Sequence, residues 1–464
     1  MDRIAGRPYW ELSFDKSGRL TAPDEGGFIT EVAESGIADL FVMSHGWGTS
    51  AEAAHGLYEA MFPLVAEAAG QAPGIGPVGF AGIFWPSLWF PDPPPQAAPE
   101  VAEAVQAGRP GAANAVLSGR QIAGALAESF DDPEQQANLE QMGQLIDEGI
   151  AGAGEEPPES QQARLARFHS LLQTLVRPDR QPQEDASETW LFDTDDPQRD
   201  YEVISDAVGS GAQLGAADEG IGDVFGKVWN GAKDALRMAS YYEMKGRAGD
   251  IGGRGLGPLL ARLHERQPGL RVHLLGHSFG ARLVSFALSG ITPAEASPVA
   301  SLCLIQGAFS HWAFAPRHSM PFGTAGALSQ YADRVHGPLV STFSEHDWAV
   351  GRWYPQASFL ARQDNENLDP DEPDRWGGMG SDGFQGVSPA GSFDLRPVGK
   401  AYLLEAGSFY RVNGSAVIAD TSQSPFSGAH SDIRHPQIAW LAVAAAAADT
   451  PPPSATAGDT QDRT

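Results

Sequence analysis

Apolar and polar positions change their spacing several times along this chain, and each change predicts an element. Residues 9–20 (YWELSFDKSGRL) alternate about a Lys-Ser-Gly turn, the period-two pattern of an opening β-hairpin. A short helix is expected from Phe28 to Ser35. Asp39 to Met43 is a compact apolar run that ends in SHGWG, so it reads as a buried strand feeding a tight turn. Ala51 to Ala69 carries Ala and Glu at helical spacing, and Val78 to Trp85 reads as a second buried strand. From Pro258 the alternation of elements resumes. A helix (Pro258 to Arg266) leads to a strand (Arg271 to Leu275), a turn bearing a serine and another helix (Ala281 to Leu288). Strands follow near Val299 to Ile305, Pro338 to Phe343 and Ser408 to Ile418, and a last helix runs from Pro436 to Ala448. This order predicts an α/β fold, with a mostly parallel central sheet covered by helices on both faces.

Between the two α/β parts the pattern is different. Residues 91–99 (PDPPPQAAP) break regular structure, and the stretch that follows, to residue 240, is polar, acidic and helix-prone. Gly152 to Ser160 and Arg177 to Asp200 read as loops within it. Ile221, Val224, Phe225, Val228, Trp229, Ala232 and Leu236 recur at helical spacing. Such a stripe fits a lid helix, a membrane-surface helix or a helix packed on its own domain. Few lysines and acidic surroundings argue against the membrane. The expected division is a core from 1–90 and 241–448, a long, mainly helical insertion at 91–240, and a disordered tail at 449–464.

Composition narrows the partners. The 464 residues leave room for two ordinary domains or one large domain with an insertion. With 59 acidic residues against 31 basic ones, the net charge of -28 repels nucleic-acid phosphates and anionic lipid headgroups, so neither is expected as a partner. Cys303 is the single cysteine and cannot form an internal disulfide. The opening residues, MDRIAGRPYWELSFD, contain no apolar secretory segment, and Ile438 to Ala448 is too short to cross a bilayer. A soluble, cytoplasmic protein without integral membrane association is expected.

The chemistry concentrates at Gly276-His277-Ser278-Phe279-Gly280. A bare G-x-S-x-G is weak, but here an apolar strand precedes it and a helix follows directly, the context of a nucleophile elbow. A turn that sharp strains the backbone at the serine, and small flanking residues let the chain close. The hydroxyl is then presented at the strand's carboxyl end and at the positive end of a helix. A strand-to-helix turn with an incidental serine is the alternative. A serine hydroxyl also needs a base to take its proton, and acyl transfer needs donors for the developing oxyanion.

His45-Gly46-Trp47-Gly48 ends the early strand, and together with the serine motif it resembles the α/β-hydrolase family. The resemblance covers residues 1–90 and about 240–448. It implies an oxyanion hole formed by the backbone N–H groups of Trp47 and Phe279. It also implies the order serine, acid, histidine along the chain. Asp347 follows the strand 338–343 in Ser344-Glu345-His346-Asp347 and is the expected acid, with Glu345 as the alternative. The base belongs in the loop before the last helix, where His430 and His435 both occur. Pro436 suits the first helical position, which makes His435 a capping or surface residue and favours His430. The insertion departs from the family's usual pattern, because caps there more often follow the strand after the nucleophile helix. It is a candidate lid, or else a separate module for binding a protein partner.

Two aromatic groups, Phe84, Trp85, Trp89 and Phe90, then Phe309, Trp312 and Phe314, follow strand ends on the side of the serine. They suit an apolar pocket for hydrophobic esters and equally suit core packing. His45, Trp85, His277, Phe309 and Trp312 are the pocket candidates, although the elbow is expected to turn the His277 side chain away. The acidic loop Asp364 to Asp374 lacks a calcium-ligand spacing, and Gly252 to Gly257 follows no strand, so neither metal nor nucleotide is expected. The resemblance implies a serine hydrolase (esterase- or lipase-like) that cleaves carboxylic esters through an acyl-enzyme, with no cofactor. Amide or thioester cleavage, acyl transfer to an alcohol, and a non-catalytic interaction module are the alternatives.

Overall fold

The computed structural model describes residues 2–87, 118–127, 130, 132–175, 196–209, 221–319, 325–350, 377–388, 390–422 and 428–448. The opening alternation forms β2 (Arg7–Phe14), which pairs antiparallel with β1 (Asp2–Ile4) and with β3 (Leu20–Ala22). The unbroken apolar runs form β4 (Asp39–Ser44), β5 (Val78–Phe84), β6 (Arg271–His277), β7 (Val299–Ile305) and β8 (Leu339–Phe343). These strands need no polar alternation because helices cover both of their faces. The strand expected over 408–418 is shorter, β10 (Phe409–Asn413), because Gly414 opens a turn whose carbonyl accepts the N–H groups of Val417 and Ile418. A strand without a sequence expectation, β9 (Ala390–Asp394), pairs beyond it, half exposed at the sheet's edge.

All ten strands of the described residues lie in one sheet, in the order β1-β2-β5-β4-β6-β7-β8-β10-β9, with β3 attached to β2. Every pairing from β2 through to β9 is parallel. The protein is therefore α/β, with a mostly parallel mixed sheet flanked by helices. Side chains alternate between the two faces of each strand. Leu40 and Val42 of β4 face a core shared with α1 (Glu25–Glu34), and Phe41 and Met43 face a second core built on α2 (Ala51–Gln71). Ser50 caps α2 by accepting the Ala53 N–H.

Among the described residues, five helices lie between β5 and the second half of the sheet: α3 (Gly119–Ala127), α4 (Pro133–Ala151), α5 (Pro158–Leu175), α6 (Pro197–Gly209) and α7 (Ile221–Asp250). Trp229 of α7 is fully buried among them. Its indole N–H donates to Gln161 at 2.8 Å, and its ring meets Phe168 edge-on. Phe225, Val228, Ala232 and Leu236 are buried as well, so this stripe is a packed helix face and not a membrane-surface one. The expected boundary at residue 240 falls within a helix. The single helix α7 runs through it, and Met244 and Ala248 join the same core as the sheet's strands. A π-helical turn (Ile251–Leu256) absorbs the glycine run and leads into α8 (Gly257–Arg266). Then come α9 (Phe279–Gly290) directly after β6, a short helical turn α10 (Met379–Asp382), and α11 (Pro436–Ala448) beside α2.

At the amino ends of the strands, buried Asp39 accepts from His273 Nε2–H at 2.9 Å and from Arg271 at 2.7 Å, and His273 Nδ1 lies 2.9 Å from the Ser301 hydroxyl. Burial alone pushes the Asp39 carboxyl up, but hydrogen bonds and charge from His273 and Arg271 outweigh it and hold it below the usual carboxylate range. This network ties β4, β6 and β7 together at the end opposite Ser278. Among the described residues, no helix is long and apolar enough to cross a membrane.

Truncating Trp229 leaves a cavity that the surrounding helices cannot refill. Trp229→Ala is expected to lower unfolding stability by about 3–5 kcal/mol, read from denaturant midpoints. An unchanged midpoint would mean that the five helices contribute no core of their own.

Candidate functional site

The chain moves from β4 outward to β5, then returns past β4 to lay β6 on its other side. Connections thus diverge at the β4–β6 pair, and a crevice opens at the carboxyl ends of such a pair. Register brings specific residues there. Ser44 pairs with Gly276, so the two strands leave the sheet side by side. Gly46 then lies against Ser278: a Cβ on Gly46 would fall 2.6 Å from the serine Cβ and 3.1 Å from its Oγ.

Ser278 has φ 58°, a left-handed backbone that a non-glycine residue adopts only under constraint. The constraint is visible. Its N–H donates to the Ile305 carbonyl at 3.2 Å, and its own carbonyl accepts from Ala281 at 3.0 Å and from Ala308 at 3.2 Å. The residue stands between β6 and α9, at the amino terminus of that helix, where the helix dipole favours developing negative charge.

Asp347 and His430 come together as the sequence order implies. The imidazole Nδ1–H of His430 donates to Asp347 Oδ2 at 2.8 Å, which leaves Nε2 as the basic nitrogen. Backbone pairing explains the approach. Asp347 and Gly428 form an antiparallel bridge, and the Ala429 N–H donates to the His346 carbonyl at 2.8 Å. Gly428 has φ 56° and sits so close to the His346 carbonyl that a side chain there would collide with it. The alternatives lie elsewhere. Glu345 is exposed, its carboxylate 3.6 Å from the His346 ring, and His435 donates to Asp432 at 2.7 Å just ahead of α11.

The turn after β4 is held from three sides. Tyr58 Oη accepts the His45 N–H at 3.2 Å and donates to the Ile83 carbonyl. Trp85 Nε1–H donates to the His45 carbonyl at 3.2 Å, and the Gly48 N–H donates to the Ser87 carbonyl at 3.0 Å. The Trp47 ring packs on Phe279, with ring centroids 5.9 Å apart, so the two residues implied as oxyanion donors are neighbours.

The pocket candidates divide. His45 is buried and stacked on Trp85 at 5.5 Å, and Phe309 is fully enclosed, so core packing accounts for these three aromatics. Trp312 is also buried, with its ring edge-on to His311. His277, expected to be turned elsewhere by the elbow, meets the loop that bears His430. Its Nε2–H donates to the His430 carbonyl at 2.9 Å, and the two rings lie 4.9 Å apart. It therefore braces the residue expected to act as base. Trp89, Phe90 and the acidic loop Asp364 to Asp374 lie outside the described residues.

Three contributors escaped sequence reading: Tyr58, Gln306 and the Val350 amide, which donates to Asp347 Oδ1 at 3.1 Å. Gln306 alone carried a signal, as the first polar residue after an apolar strand run, the same place that Ser278 occupies after β6. Burial pushes His45 down to about 4. Burial, followed by the neighbouring His430, pushes His277 down to about 3. Both are neutral at neutral pH. Among the described residues, no group of three or more His, Cys, Asp or Glu side chains is arranged to hold a metal ion.

Two outcomes are expected. Gly46→Ala drives a methyl group into the Ser278 side chain, and should cut the rate of covalent labelling at that serine by roughly a hundredfold while the fold persists. Equal labelling at equal thermal stability would dissociate Gly46 from the site. The unfolded chain protonates His277 near its ordinary 6.5, whereas the folded chain excludes the proton until about 3. Stability should therefore fall as pH falls from about 6.5 towards 3, and His277→Asn should remove its share of that slope in denaturant titrations. Against known proteins, no family profile, curated sequence or solved structure matches this chain.

Proposed function

We propose that this chain is a serine hydrolase of the α/β-hydrolase type that cleaves carboxylic esters, with Ser278 as nucleophile, His430 as base and Asp347 as acid. The observation that carries the reading is the Asp347–His430 hydrogen bond at 2.8 Å, at the same end of the sheet as a serine held at φ 58° between a strand and a helix. A structural turn has no need of a strained serine with a carboxylate-anchored imidazole in the next loops.

In the proposed reaction, His430 Nε2 takes the Ser278 hydroxyl proton as Oγ attacks the ester carbonyl. Asp347 holds the imidazole in the tautomer that exposes Nε2 and stabilises the imidazolium once formed. Negative charge growing on the carbonyl oxygen meets the amides of Trp47 and Phe279 and the amino end of α9. The imidazolium then protonates the leaving alkoxide, giving the alcohol and an acyl-serine. Water deprotonated by the same nitrogen attacks the acyl-serine, and the carboxylic acid departs as Ser278 regains its proton.

A fluorophosphonate probe offered to wild type, Ser278→Ala and His430→Ala tests the reading, followed by p-nitrophenyl esters of increasing chain length. Wild type should label, and both variants should lose labelling and turnover by roughly four to six orders of magnitude. Labelling that survives Ser278→Ala, or folded wild type that neither labels nor cleaves any ester, would overturn it.

A further inference from the structure

We propose that Gln306 is a positioning residue of this site: it fixes the Asp347 carboxylate in the orientation that presents Oδ2 to His430. The inference rests on the hydrolase reading for its kinetic consequence, but its geometry stands without it.

Gln306 directly follows β7 and is wholly buried, with φ 49°. A long polar side chain enclosed in this way must find partners for its amide oxygen and nitrogen. Its oxygen is satisfied by Thr342, whose hydroxyl donates to Oε1 at 3.1 Å. The same Thr342 oxygen accepts the Gln306 backbone N–H at 3.2 Å. The register explains this closeness, since Ile305 of β7 pairs with Thr342 of β8. With Oε1 engaged, only Nε2 remains, and it donates to Asp347 Oδ2 at 2.8 Å. A flipped amide would set a carbonyl oxygen against a carboxylate and leave the threonine hydroxyl without its acceptor. The network therefore admits one orientation.

Asp347 Oδ2 thus receives two donors, Gln306 Nε2–H and His430 Nδ1–H, while Oδ1 receives the Val350 N–H. The carboxylate is clamped at both oxygens, and rotation about its terminal bond would break contacts on each side. Among these donors only the imidazole changes charge in the proposed reaction. Gln306 has the role of holding the acceptor still while that happens. It also takes a share of Oδ2, which weakens the pull of that oxygen on the imidazole proton.

Two variants test this. Gln306→Leu keeps the bulk and deletes the donor. Gln306→Glu is an isostere while protonated, its O–H donating to Asp347 and its C=O accepting from Thr342. Once ionised, it sets one carboxylate against another. Kinetics on a p-nitrophenyl ester should show kcat lowered about ten- to a hundredfold in Gln306→Leu with KM within about twofold, since the residue touches no substrate. Gln306→Glu should recover most of the kcat at pH 6 and lose it as pH rises, adding an alkaline limb absent from wild type. A merely structural role would change folded yield or thermal midpoint without that limb.

A readout independent of turnover is the low-field proton resonance of His430 Nδ1–H, identified by its loss in His430→Ala. It should move downfield in Gln306→Leu, where, among the described residues, His430 is left as the one side-chain donor on Oδ2. If wild type turns over the ester and both variants match its kcat, KM and pH profile, the proposal is overturned. An unmoved resonance in folded Gln306→Leu overturns it as well. A moved resonance in a wild-type background that cleaves no ester would sink the hydrolase reading and leave the positioning role standing.

Discussion

Parallel pairing of β4 with β6 is the interaction on which the rest of the site depends. Opposing Ser44 to Gly276 makes both chains leave the sheet at one level, so whatever follows them must share a small space. Only glycine at 46 allows that approach to Ser278. The next pairing does the same for β7, because His277 stands opposite Ile305, and one residue further Ser278 donates to the Ile305 carbonyl. The strained serine is therefore a product of register on both sides. Its cost, of order 1–3 kcal/mol for such a backbone, is offset by hydrogen bonds and burial that the sheet supplies anyway.

The two ends of the same strands show why residue types alone do not single out a candidate site. Asp39, His273 and Ser301 form a chain of aspartate, imidazole and serine at the amino ends. Ser301 is an ordinary residue of β7, buried within the sheet, and the Arg271 guanidinium adds a further partner to Asp39. Such an arrangement is suited to locking three strands together. At the carboxyl ends, Ser278 has left its strand for a strained turn, and Asp347 meets neutral donors besides its imidazole. Geometry and electrostatics separate the two clusters where composition does not.

Much of this was legible in the sequence because it is local. Apolar runs of strand length, the serine between a strand and a helix, and a proline opening the last helix all act over a few residues. Ser278, Asp347 and His430 were each singled out from what stands immediately beside them, together with an order taken from a family resemblance, and the structure brings Asp347 and His430 into contact. What stayed hidden depends on contacts between distant segments. Gln306 matters because Thr342 lies opposite its strand's end, and Tyr58 because α2 crosses beneath the turn after β4. His277 reads as structural from the elbow alone, but its partner, the His430 carbonyl, lies on a distant loop that no local pattern marks. β9 went unseen since five half-exposed residues carry too little hydrophobic contrast to mark a strand.

The helical insertion is bound into the same physics. Arg282, on the helix that begins at the serine, donates through Nε to the Lys245 carbonyl of α7 at 2.6 Å. Arg247 of α7 reaches the Pro86 carbonyl, just past β5, at 3.1 Å. Met244, Ala248 and Ile251 are buried in the core that also contains Leu283 and Val284 of α9. Swinging α7 away as one rigid arm would expose these side chains and break both of these arginine contacts. Burial of each large apolar side chain is worth roughly 1.5–3 kcal/mol, so the motion would cost a sizeable part of an ordinary domain's total stability of about 5–15 kcal/mol. The carboxyl half of α7 is thus a fixed wall behind Ser278.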